Sequence, residues 1–158
     1  MAAQLDQQRR DNALLINQQR QDSAETRRLA EVSYLESSIF TNLEILKVRL
    51  LSFDSVVNAP LSELILAIYR SGDLTQARVE ELKEGLSARK ESLVTWVNLS
   101  AKLTRLREED QKRYVDQLLL VSITVDHELC VALDYIVKLT TGVSFEAHFN
   151  KKERERSG

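Results

Sequence analysis

Large aliphatic side chains recur along this chain at steps of three and four residues, the rhythm of one face of an α-helix. The longest clean run lies between Tyr114 and Thr141. There Tyr114, Leu118, Val121, Val125, Leu129, Ala132, Ile136 and Leu139 form one stripe, and Leu119, Ile123, Cys130, Leu133 and Val137 widen it. A wide stripe predicts a helix with neighbours on more than one side, and Leu118–Val125 is its most apolar part. The alternation of Val121, Ile123 and Val125 would also suit a strand, but strands run about five or six residues and this spacing lasts far longer. Gly142 just beyond the run is placed to close it in a left-handed conformation.

Earlier in the chain, Leu29, Val32, Ile39, Leu43, Leu46, Leu50 and Phe53 keep a heptad-like beat, broken where Glu36 falls. No helix breaker separates this segment from the start, so one helix over about residues 4–53 is expected, buried only in its second half. Residues 54–60 connect; Asn58 is the expected cap of the next helix and Pro60 suits its first turn. Leu61, Leu64, Ile65, Ile68 and Tyr69 predict a short helix closed by Gly72. Asp73 followed by Gln76 is a loose capping box. A further long helix is expected from Leu74, with Val79, Leu82, Leu86, Leu93, Trp96 and Leu103 in register, Gly85 tolerated, and Arg89 and Ser100 in the missing beats. Trp96 reads as a core anchor. The polar stretch 107–112 needs a turn at 107–111, with Asp110 as its cap, because the stripes on either side want partners in the same chain.

These elements define an all-α protein: an up-down helical bundle of three long helices and one short helix, with an N-terminal helical arm. Residues 1–28 form the polar arm, 29–149 the bundle and 150–158 a charged, disordered tail. The arm would reach roughly 40 Å if helical throughout, at 1.5 Å per residue. Its only large aliphatics are Leu5, Leu14, Leu15 and Ile16, too few to bury the arm alone. A solvated extension is one expectation; a short, weak coiled coil is the other. Phe145 and Phe149 are expected to cover one end of the bundle.

Composition supports this fold. Four glycines and one proline in 158 residues leave little material for the many turns of an all-β protein. A net charge of −2, with 22 basic and 24 acidic side chains interspersed, gives no global reason to bind nucleic acid. The basic pairs Arg9-Arg10, Arg27-Arg28 and Lys151-Lys152 each have acidic neighbours. Acidic residues interrupt every apolar run well short of the ~20 residues of a membrane span. One cysteine excludes an internal disulfide framework, and the N-terminus lacks the apolar core of a secretory signal. A cytoplasmic setting is expected, or a periplasmic or extracellular one for a domain excised from a receptor.

Candidate chemistry is sparse. No phosphate-binding glycine loop, nucleophile elbow or paired-cysteine motif occurs. A di-iron bundle site needs Glu three residues before His, but Thr124 precedes His127 and Phe145 precedes His148. Asp126, Cys130 and Asp134 share a predicted helix face with His127 adjoining, a set that could bind metal but more simply lines a core margin. No catalytic, cofactor or metal site is therefore expected. The expected function is a non-enzymatic helical interaction or adaptor module, bound to a protein partner or to its own copies through Leu14, Leu15 and Ile16. Two other classes fit less directly: a ligand-sensing four-helix domain of a membrane receptor, with an anchor upstream, and a small inhibitor or immunity-type protein that blocks a larger enzyme.

Overall fold

The computed structural model describes residues 1–54, 58–72, 90–140 and 145–149. The predicted start of a helix at Leu74, its capping box and Gly85, the Gly142 stop and the 150–158 tail lie outside the described residues. The fold is all-α. Five helices are described: α1 (Ala2–Leu51), α2 (Leu61–Ser71), α3 (Lys90–Glu109), α4 (Gln111–Val125) and α5 (His127–Thr140). A two-residue antiparallel ribbon of β1 (Phe53–Asp54) and β2 (Ala59–Pro60) pairs Phe53 with Pro60 and Asp54 with Ala59. The chain divides into two compact units, Met1–Tyr34 and Leu35–Gly158.

In the first unit every residue is helical after Met1, and residues 1–27 are exposed. Local pairs hold the helix: Gln7 donates to Asp11 at 3.1 Å, the Thr26 hydroxyl to the Asp22 carbonyl at 2.8 Å, and Arg28 makes a forked pair with Glu25. Each such pair contributes only about 0.2–0.5 kcal/mol.

The second unit contains the core. From α1 it takes Leu35, Ile39, Leu43, Leu46 and Leu50, all buried. Leu35, rather than Glu36, fills the beat that looked broken, while Phe53, expected inside, is 64% exposed at the ribbon. From α3 come Trp96, Leu99, Leu103 and Leu106; from α4 Tyr114, Val121 and Val125; and from α5 Leu129, Leu133, Ile136 and Val137. Each large aliphatic buried here contributes about 1.5–3 kcal/mol.

Polar cross-links set the directions. Arg49 donates to Thr95 at 3.0 Å and pairs with Glu91 at 3.2 Å, joining the end of α1 to the early part of α3. Glu36 accepts from Arg113 and, at 3.4 Å, from Gln117, joining an earlier part of α1 to the start of α4. Thus α3 runs against α1 and α4 runs with it, the up-down order expected of a bundle. The reversal between them falls at Asp110, as expected. Its carboxylate accepts from the Arg113 N–H at 3.1 Å, capping α4. α2 lies on α5, where Tyr69 meets Tyr135 edge-on at 5.6 Å and Arg70 forks onto Glu128 at 2.8 Å.

Two expectations fail in detail. Asn58 does not cap α2. It adopts φ 57° in the ribbon turn, a conformation asparagine tolerates, and Pro60 occupies the cap position with no side-chain bond. The Leu61 N–H is met instead by the Ser52 carbonyl at 3.2 Å. Gly72 closes α2 at φ 62°, as expected.

The larger departure is that Tyr114–Thr141 is not one helix. It breaks at Asp126, at φ 78° and ψ 134°. In an unbroken helix residue 130 would sit about 13 Å along the axis from residue 121. Here the Cys130 thiol lies 3.9 Å from the Val121 carbonyl. The segment before the break is rich in β-branched residues, and the Ser122 and Thr124 hydroxyls donate to the Leu119 and Leu120 carbonyls at 3.0 and 2.8 Å. Such bonds weaken helix continuation. The apolar run Leu118–Val125 is therefore not central: Leu119 and Ile123, expected to widen the buried stripe, are 60% and 72% exposed. Asp126→Gly should relieve the positive-φ strain, which costs about 1–3 kcal/mol at a non-glycine residue, and raise the urea midpoint. A lowered midpoint would mean that the aspartate side chain, not the backbone, holds the break.

Candidate functional site

Asp134, His148, Glu146, Arg107 and Tyr114 meet at one place, at the segment 145–149. Trp96, fully buried on α3, donates its indole N–H to Asp134 Oδ1 of α5 at 2.8 Å. Asp134 Oδ2 accepts the backbone N–H of Phe149, also at 2.8 Å. Phe149 packs on Trp96 with ring centroids 5.8 Å apart and reaches His127 at 6.2 Å. Phe149 thus covers the core as expected, while Phe145 is only half-buried.

Next to this carboxylate, His148 bridges α3 and α4. Its Nε2 lies 2.9 Å from the Ser100 carbonyl and 3.0 Å from the Thr104 hydroxyl; its Nδ1 lies 2.8 Å from the Tyr114 hydroxyl. A carbonyl only accepts, so Nε2 carries the proton and Nδ1 accepts from Tyr114. Glu146 closes the outer side, accepting from Thr104 at 3.1 Å and pairing with Arg107. The Arg107 guanidinium also sits 5.7 Å from the centre of the Tyr114 ring.

Burial pushes the Asp134 carboxyl up to about 6, against the lowering effect of its N–H donors. Burial holds the His148 imidazole below its ordinary value, with the Ser100 carbonyl and Glu146 pulling the other way. Glu146 is held below the usual carboxylate range by the Arg107 hydrogen bond first. Every reactive group here is spent on a neighbour, and His148 is only 9% exposed. The cluster fastens 145–149 to three helices, with Asp134 and His148 buried and Glu146 at its exposed edge.

The Asp126, Cys130 and Asp134 set does not converge. Asp126 sits in the α4–α5 break, Cys130 points at the Val121 carbonyl and Asp134 at Trp96. Burial, then the charges of Asp134 and Asp126, push the Cys130 thiol well up, so it stays protonated. Among the described residues no three His, Cys, Asp or Glu side chains are placed to hold a metal ion. Sequence reasoning put Asp134 at a polar margin and assigned His148 no partner. The one available signal was Ser100, the polar residue in a leucine beat: its backbone carbonyl is where the imidazole docks.

The proposed contact residues Leu14, Leu15 and Ile16 are 67%, 55% and 49% exposed on α1. As consecutive helical residues they point about 100° apart, so they form a collar, not a stripe. A cleft of about 400 Å³ lies among α1, α2 and the α4–α5 break, with Leu50, Leu66, Val125 and Leu129 as apolar lining and Lys47 and Asp126 as charged groups. No helix among the described residues is long and apolar enough to cross a membrane. No protein family, curated protein or solved structure matches this chain.

Two stability experiments follow from the cluster. The Ser100 Oγ is buried and has no hydrogen-bond partner among the described residues. Ser100→Ala should therefore be neutral or stabilising by up to about 1 kcal/mol, because it removes a desolvated hydroxyl. Ser100→Leu, which restores the leucine beat, should cost about 1–3 kcal/mol by overpacking, because Ser100 is only 2% exposed. Equal midpoints for the two variants would refute close packing at this position.

The second concerns pH. Between its ordinary 3.8 and about 6, Asp134 is protonated in the folded chain and ionised in the unfolded one. It therefore adds stability as pH falls through about 6. His148 acts oppositely: below 6.5 the unfolded imidazole charges while the buried one stays neutral, so stability is lost. Asp134→Asn removes the first effect and leaves the second. The variant should lose about 1 kcal/mol more than the parent between roughly pH 7 and pH 5 in urea unfolding. Parallel pH curves would show that Asp134 does not titrate in that window.

Proposed function

We propose that this chain is a non-enzymatic helical interaction module of the adaptor kind, which engages a protein partner or its own copies through the first part of α1. The observation that carries this reading is the exposure of Leu14, Leu15 and Ile16 on a helix whose residues 2–27 are all exposed. Helices of polar composition draw most of their stability from packing, and this segment has three adjacent large aliphatics and little else to pack with. Helical modules commonly lay such side chains into the groove of a second helix or bundle. The buried cluster supports the same reading from the other side, because its titratable groups serve cohesion.

Replacing Leu14, Leu15 and Ile16 together by glutamine keeps helix propensity and removes the apolar surface. In sedimentation velocity, the full chain should associate and the triple variant should associate at least about tenfold more weakly, a loss of about 1.4 kcal/mol, with unchanged circular dichroism. Identical sedimentation, together with identical recovery of partners from the native source, would refute the arm as the contact.

A further inference from the structure

The cleft among α1, α2 and the α4–α5 break carries two opposite charges that are not spent on each other. Lys47 and Asp126 both line it and are exposed, and neither side chain makes a hydrogen bond or ion pair among the described residues. Arg70 feels the charge of Asp126, but its guanidinium is forked onto Glu128. The Ser62 hydroxyl, near the start of α2, also lines the cleft with no hydrogen-bond partner among the described residues. Between these groups the lining is aliphatic. Leu50, Val125 and Leu129 belong to the buried core, Leu66 is half-buried and Leu51 is 66% exposed. A volume of about 400 Å³ with apolar walls and a few polar groups is the build of a small-ligand site. Asp126 is held at φ 78°, and strained backbone of this kind gathers at ligand sites.

Charge decides the class of ligand. A simple anion drawn by Lys47 is repelled by Asp126, and a simple cation meets the reverse. A neutral apolar ligand would strip water from both charges without pairing them. Only a ligand with both charges, held apart by an apolar body, gains from the whole lining. A single amino acid carries its charges on one carbon. In a dipeptide the ends stand roughly 7 Å apart, at about 3.3–3.6 Å per residue. Lys47 and Asp126 do not reach each other, so the longer span is the better match.

We propose that this cleft binds a short aliphatic peptide with free ends, two or three residues long. Its ammonium group pairs with Asp126, and its carboxylate pairs with Lys47 and accepts from the Ser62 hydroxyl. Its side chains rest on Leu50, Leu66, Val125 and Leu129. The apolar contacts supply most of the affinity, and the two charge pairs fix the direction in which the peptide lies. This site uses none of the arm residues and stands or falls without them.

The test is isothermal titration calorimetry of the full chain with leucyl-leucine, which should bind with a Kd of about 1 mM or tighter at low salt. Glycyl-glycine keeps both charges but lacks the aliphatic side chains, and should bind at least about tenfold more weakly. N-acetyl-leucyl-leucine and leucyl-leucine amide each lack one charge, and should bind about fivefold more weakly. Lys47→Glu should weaken leucyl-leucine about tenfold yet tighten leucyl-leucine amide, because the new carboxylate repels one ligand and attracts the other. A merely structural effect of the substitution would weaken both. Asp126→Asn should weaken leucyl-leucine about fivefold and leave N-acetyl-leucyl-leucine at least as tight. Circular dichroism of both variants should match the parent. No saturable heat with leucyl-leucine up to about 10 mM overturns the proposal. So does equal affinity for glycyl-glycine or for free leucine, or a parallel response of the two leucyl ligands to Lys47→Glu. The arm substitutions Leu14→Gln, Leu15→Gln and Ile16→Gln should leave the affinity unchanged, which separates this site from the arm.

Discussion

A carboxylate taken out of water must be met by donors, and Asp134 is met by two. The indole of Trp96 reaches it from α3 and the backbone of Phe149 reaches it from the segment beyond α5. That pair of bonds fixes where 145–149 lies, and with it His148, which in turn ties α3 to α4 through Ser100, Thr104 and Tyr114. The cost of burial is visible in the raised carboxyl of Asp134 and the suppressed charge of His148. An all-leucine seam would give more hydrophobic stabilisation at this spot. What the polar groups supply is register, because Asp134 and His148 both find their partners in this placement of 145–149.

The same network explains why the chain must break at Asp126. Asp134 can meet Trp96 only if α5 leaves the line of α4. A residue at φ 78° is a local cost of about 1–3 kcal/mol, outweighed by the burial of Leu129, Leu133, Ile136 and Val137 that follows. Strain here is concentrated in one residue, and the helices on either side remain regular.

Hydrophobic rhythm made much of this fold legible in advance. The single helix over α1, the short helix closed by Gly72 and the capped turn at Asp110 all follow from local rules. They could be read because spacing, cap and terminator each act within a few residues. The break at Asp126 could not, since the three-four rhythm runs through it from Val125 to Leu129 without a missed beat. Periodicity reports which residues want burial, but it does not report whether the axis stays straight. Nor could the partners of Asp134 and His148 be read, because most lie on α3 and α4, as much as 48 residues away in the case of Ser100. The proposed contact residues were legible only as an excess: Leu14, Leu15 and Ile16 are aliphatics in a segment with no core to join.

The break also redistributes the most apolar run of the chain. Once α5 turns away, α4 has one face against α1, α3 and α5 and the opposite face in water. Val121 and Val125 go inside while Leu119 and Ile123 stay outside. A continuous helix wrapped by neighbours would have buried both rows. The exposed row is thus a geometric consequence of the strained residue that ends α4. Backbone conformation at Asp126 therefore sets two things at once: where α5 docks, and which aliphatics of α4 are left in water.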